Sequence, residues 1–111
     1  MAKWDNQKTE DLLAVILQLK NKAEAKKFFR DLLTEAELRE FGNRWRAVQM
    51  LAAKIPYTEI TKETGLSSTT VARISRWLQK GQGGYKLMLK RTANKKVVHQ
   101  HHSTSSGKRV S

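Results

Sequence analysis

Ser67, Ser68, Thr69, Ala72, Arg73 and Arg76 fall within one short stretch and share a chemistry of recognition rather than reaction. Hydroxyls exchange hydrogen bonds with phosphates and base edges. Guanidiniums grip phosphate or guanine in a two-pronged fork, and a small methyl side chain can meet a thymine methyl. On a helix opening at Ser67 or Ser68, the hydroxyls lie at the N-terminus and the arginines one and two turns later. That order suits a helix end pushed into the major groove of duplex DNA. Lys62, Lys80 and Lys86 stand at the rim of the same region as further phosphate contacts. The plainer alternative is a helical hairpin with a solvated basic face.

Positioning such a helix requires a partner helix and a tight turn. Residues 58–78, TEITKETGLSSTTVARISRWL, have the form of a helix-turn-helix. The spacing predicts a short helix from Thr58 to Thr64 with Thr58 as its cap. Gly65 then supplies the backbone freedom of the turn, and Ser67 or Ser68 caps the second helix. Ile60, Leu66, Val71 and Ile74 occur where the two helices must bury apolar side chains against each other.

Other chemistries find no constellation. His99, His101 and His102 stand in a Ser/Thr/Lys-rich tail with no cysteine or acid nearby to complete a metal site. The acids upstream fall in helical first turns or on outer faces, where they complement dipoles and pair with lysines. Gly81, Gly83 and Gly84 lack the preceding strand and the lysine and hydroxyl of a phosphate loop. No catalytic residue, metal ligand or cofactor motif is expected, and the chain does not read as an enzyme. Trp77 alone on a helix is a poor platform for base stacking.

The charge distribution selects a partner. Residues 1–64 carry 12 Lys/Arg against 10 Asp/Glu, whereas residues 65–111 carry 10 Lys/Arg and no acid. Carboxylates stop at Glu63, where the candidate recognition helix begins, which is the arrangement of a surface that meets a polyanion. An anionic membrane would also serve. However, the basic segment after residue 90 lacks the aromatic and leucine face of an interfacial helix.

Length and pattern bound the fold. The 111 residues allow one helical domain, residues 1–91, followed by a disordered basic tail, residues 92–111. Without cysteine, a signal segment or a run of membrane-spanning length, the expected setting is the cytoplasm. Residues 6–20 form a first helix in which Leu12, Leu13, Ile16 and Leu19 make a stripe widened by Val15 and Leu17. Apolar surface that wide demands burial on several sides. Residues 23–33 form a second helix with Ala25, Phe28, Phe29, Leu32 and Leu33 inward. Thr34 and Glu37 make a capping box opening a long third helix, with Leu38, Phe41, Trp45, Val48, Leu51 and Ala52 inward. Pro56 closes that helix. A glycine-containing hinge, Gln79 to Gly84, precedes a last short helix from Tyr85 to Arg91.

LTEAELREFGNRWRAV, then TEITKETGLSSTTVARISR, then GQGGY resemble the Trp-repressor family, and most of all its YerC/YecD-like branch, over Leu33 to about Tyr85. The resemblance implies an all-helical, intertwined homodimer that presents two recognition helices about 34 Å apart on a pseudo-palindromic operator. It also implies a candidate effector pocket. Arg44 and Arg73 match the two arginines that flank the corepressor's indole in the family's founding member, while Thr34 and Thr70 match its threonines. Ile74 stands where that member has a glycine, and Trp77 where it has a serine. A branched side chain and an indole then fill space that a free ligand needs, so L-tryptophan is not expected to bind.

The function implied is sequence-specific binding of double-stranded DNA through Ser67, Ser68, Thr69, Ala72, Arg73 and Arg76, with repression by occlusion. The alternatives are sequence-blind binding of DNA or RNA by the basic tail, and an interaction module for an acidic protein.

Overall fold

The structure is a computed structural model that describes residues 2–99, with side chains to residue 93. The protein is all-α. Six helices, and no strand among the described residues, run in the order α1 (Gln7–Ile16), α2 (Lys22–Leu32), α3 (Glu35–Ala52), α4 (Tyr57–Thr64), α5 (Ser68–Lys80) and α6 (Gly84–His99). The chain divides after Phe41 into two compact units.

In the first unit, short polar residues start each helix. The Asn6 side chain accepts from the Thr9 amide at 3.1 Å, and Asn21 accepts from the Glu24 amide at 2.9 Å. Each satisfies an amide that the first turn leaves without a partner. The expected box at α3 is present. The Thr34 hydroxyl accepts from the Glu37 amide at 3.1 Å, and the Glu37 carboxylate accepts from the Thr34 amide at 2.9 Å. Phe28 and Phe29 meet edge to face, centroids 5.5 Å apart.

Helix α1 ends earlier than its apolar pattern, at Ile16. Leu12, Ile16 and Leu19 are half-buried, whereas Leu13, Val15 and Leu17 are exposed, Leu17 to 81%. Leu32, expected inward on α2, is also exposed.

The second unit holds the core. Ala47 and Val48 from α3, Ile60 from α4, Leu66 from the turn, and Val71 and Ile74 from α5 are buried together. Trp45, Met50, Leu51, Ile55, Leu78, Tyr85 and Leu89 pack around them. Val48, Ile60, Val71 and Ile74 are fully buried, and each contributes about 1.5–3 kcal/mol relative to exposure. The tilted rings of Trp45 and Tyr85, centroids 6.4 Å apart, join α3 to α6.

Two residues of the expected inward face of α3 are exposed. Phe41 shares the face of Val48 but lies a heptad earlier, about 10 Å along the axis, and outside the second unit's core. Ala52 is the last residue of the helix. Past it, Lys54 takes a left-handed conformation (φ 65°) and Pro56 blocks continuation.

The last helix is longer than its pattern suggests. It runs to His99 rather than Arg91, so residues 92–99, expected to belong to the tail, are helical. Within it, the Thr92 hydroxyl donates back to the Met88 carbonyl at 2.8 Å. Residues 100–111, with His101 and His102, lie outside the described residues.

Candidate nucleic-acid interface

The helix-turn-helix is built as its apolar spacing requires, with corrected ends. Helix α4 begins at Tyr57 and its cap position is Pro56, not Thr58, so no side chain caps it. The Pro56 carbonyl takes the Glu59 and Ile60 amides instead.

At the other end, Gly65 adopts φ 75°, and its amide donates to the Thr61 carbonyl at 2.8 Å. This left-handed turn is one that L side chains rarely enter. Thr64 locks it from inside. Its buried hydroxyl donates to the Ile60 carbonyl at 2.7 Å and accepts from the Leu66 amide at 3.2 Å. A threonine that looks like an ordinary helix-end polar residue is thereby the internal brace of the turn.

Ser67 is the cap of α5. Its hydroxyl accepts from the Thr70 amide at 3.1 Å and donates to the Thr70 hydroxyl oxygen at 3.0 Å. With Val71, Ile74 and Ser75 buried, α5 turns one face to the core. Its other face exposes Ser68, Thr69, Ala72, Arg73 and Arg76. Neither arginine has an acceptor among the described residues, and the first turn of α5 contains no acid. The guanidiniums are thus not neutralised by the described residues.

The rim lysines differ in circumstance. Lys62 and Lys80 are exposed, whereas Lys86 donates to the Gln79 carbonyl at 3.5 Å, serving the C-terminal end of α5. The helix continues to Lys80, two residues past Leu78, and stops at Gly81. A Cβ at Gly81 would run into the Trp77 carbonyl oxygen, so the stop requires glycine.

The residues of the candidate effector pocket lie in different elements. Thr34, in the first unit, caps α3. Arg44 is half-buried on α3 in the second unit. Thr70 is half-buried and bonded to Ser67, and Arg73 is exposed on α5.

The fold carrying this surface matches known proteins over most of its length. The family model for the Trp repressor protein matches residues 7–93, which extends on both sides of the stretch that sequence motifs identify. The chain belongs to the Trp repressor family. The uncharacterized protein YerC of Bacillus subtilis is 35% identical over 82 residues, 74% of this chain and 79% of its own. A TrpR-like protein from Eubacterium eligens has a crystal structure with TM-score 0.78 and 34% identity, covering 82% of this chain and 94% of that one. A candidate Trp repressor from Staphylococcus aureus has TM-score 0.77 and 29% identity, over 84% and 96% of the two chains.

Membership in the Trp repressor family suggests a DNA-binding regulator, and it covers all of α5 with its exposed hydroxyls and arginines. No helix among the described residues is long and apolar enough to cross a membrane. Two residues at this surface escaped the motif reading. Tyr57, one residue before the helix expected from Thr58, opens α4 beside the far half of α5. Ser75, a polar residue at the edge of the apolar stripe of Val71 and Ile74, is buried on α5.

Proposed function

We propose that this protein is a sequence-specific regulator that binds duplex DNA as a homodimer on a pseudo-palindromic operator and represses by occlusion, within the cytoplasm. The observation that carries this reading is α5 itself. A helix held by buried Ile60, Leu66, Val71 and Ile74 exposes Ser68, Thr69, Ala72, Arg73 and Arg76, with neither arginine neutralised among the described residues.

Ser68 and Thr69 at the helix opening reach base edges or phosphates, and Arg73 reaches a base edge or the backbone. Ser67 acts first as the cap that aims them. Pairing of two copies is supported by Leu13, Val15 and Leu17, three large apolar side chains exposed in the single chain on and just after α1. Ile74 and Trp77 argue against L-tryptophan as corepressor, and titration calorimetry with the free amino acid should show no heat of binding.

Selection of bound duplexes from a random pool at about 150 mM salt tests the reading. Recovery of a pseudo-palindrome establishes it. A pool that is bound but not enriched points to the sequence-blind alternative carried by the basic C-terminal segment.

A further inference from the structure

Helices α4 and α5 leave between them an open cleft of about 420 Å3, lined by Tyr57 from α4 and by Ala72, Ser75, Arg76, Gln79 and Lys80 from α5. The α5 positions recur every three and four residues and so form one face. Ala72 and Ser75 are small and keep the cleft open along its length. Gln79 is turned onto Ser75, donating its amide to the Ser75 hydroxyl at 3.3 Å, which leaves the cations uncovered.

Arg76 and Lys80 stand four residues apart on that face, where like charges repel. Neither has an acceptor among the described residues. An anion between them would remove the repulsion and complete the site. Tyr57, 41% exposed, brings a neutral phenolic donor from the opposite helix.

We propose that this cleft seats one phosphate of the DNA backbone, held by Arg76 and Lys80 with Tyr57 as a third donor. The inference rests on the DNA-binding reading above and divides its labour. Arg76 lies eight residues into α5, about 12 Å along the axis from Ser68, whereas base edges are met by the N-terminal residues of such a helix. In a helix-turn-helix the first helix crosses the sugar–phosphate strand, so a cleft shared with α4 faces that strand. Arg76 is then a clamp that sets how α5 rolls in the groove, and Arg73 with Ser68 and Thr69 is left to read sequence.

Fluorescence anisotropy with a selected duplex and a random duplex, each titrated across a salt series, tests this. Arg76→Ala and Lys80→Ala should each weaken both duplexes by the same factor, about fivefold near 150 mM salt, and flatten the log–log salt slope by about 0.9. Tyr57→Phe should weaken both equally and leave the slope unchanged, and Lys80→Arg should restore it. Thermal melts confirm that each variant folds.

A loss at Arg76→Ala confined to the selected duplex, with the slope retained, would overturn the clamp and make Arg76 a base reader. Saturation of the Gln79 side-chain amide resonances by micromolar inorganic phosphate would also overturn it, in favour of a free-anion site. If the unmodified protein binds both duplexes alike, specificity fails while the slope changes still support the cleft. Binding of neither duplex overturns both readings.

Discussion

Arg46 on α3 lies over Glu63 on α4, Nε to Oε2 at 3.8 Å, with both side chains about half exposed. The last acidic side chain of the sequence is thereby paired with the scaffold helix. Solvent screens such a pair, so Arg46→Ala should cost only about 0.2–1 kcal/mol in urea unfolding, and less at high salt. A loss well beyond that range would mean the pair is coupled to the packing of the core.

Ser67 and Arg73 should separate stability from recognition. Ser67→Ala removes the cap of α5 and should cost about 1 kcal/mol of stability while keeping operator preference. Arg73→Ala should leave the melting temperature nearly unchanged and cost about 1–3 kcal/mol on a selected duplex if it reads a base. The reverse pattern, with Arg73→Ala destabilising and Ser67→Ala altering preference, would exchange their roles.

Gly81 and Gly84 make a matched pair. Alanine at Gly81 meets the Trp77 carbonyl and must displace the end of α5, so destabilisation should exceed the usual glycine-to-alanine gain of about 0.4–1 kcal/mol. Alanine at Gly84, where a Cβ meets open space at the start of α6, should show that gain instead. Differential scanning calorimetry of the two variants reads both signs.

Truncation after His99 removes Lys108 and Arg109. If those cations touch DNA, the salt slope should flatten by up to about 1.8, with the preference for a selected over a random duplex unchanged. Loss of the preference itself would show that the removed segment reads a groove, as some basic arms do.

Much of the fold was legible in the order of residues because its signals are local. Thr34 and Glu37 bond within one turn, Gly65 needs only its own backbone, and Ile60, Leu66, Val71 and Ile74 sit at spacings that leave two short helices one way to bury them. The ends of elements were less legible. Thr58 has the chemistry of a cap, but the Pro56 carbonyl collects the first amides of α4 two residues earlier. Thr92 looked like the start of a tail, yet its hydroxyl bonds back to Met88 and the helix goes on. Hydroxyl residues offer the backbone two competing partners, and composition does not say which one is taken.

The sequence by itself determined an all-helical chain of the Trp repressor family, its buried turn residues, and a basic half without acids, because periodicity, glycine and charge act over a few residues. Only the tertiary structure decided which polar groups are occupied. Lys86 is spent on Gln79 and Glu63 on Arg46, while Arg73, Arg76 and Lys80 meet no acceptor among the described residues. It also decided that Tyr57 shares a cleft with Arg76. Whether a side chain is engaged or available depends on what the neighbouring helix brings within hydrogen-bond reach, and that distance is set by how the helices pack on one another, which spacing within one helix does not fix.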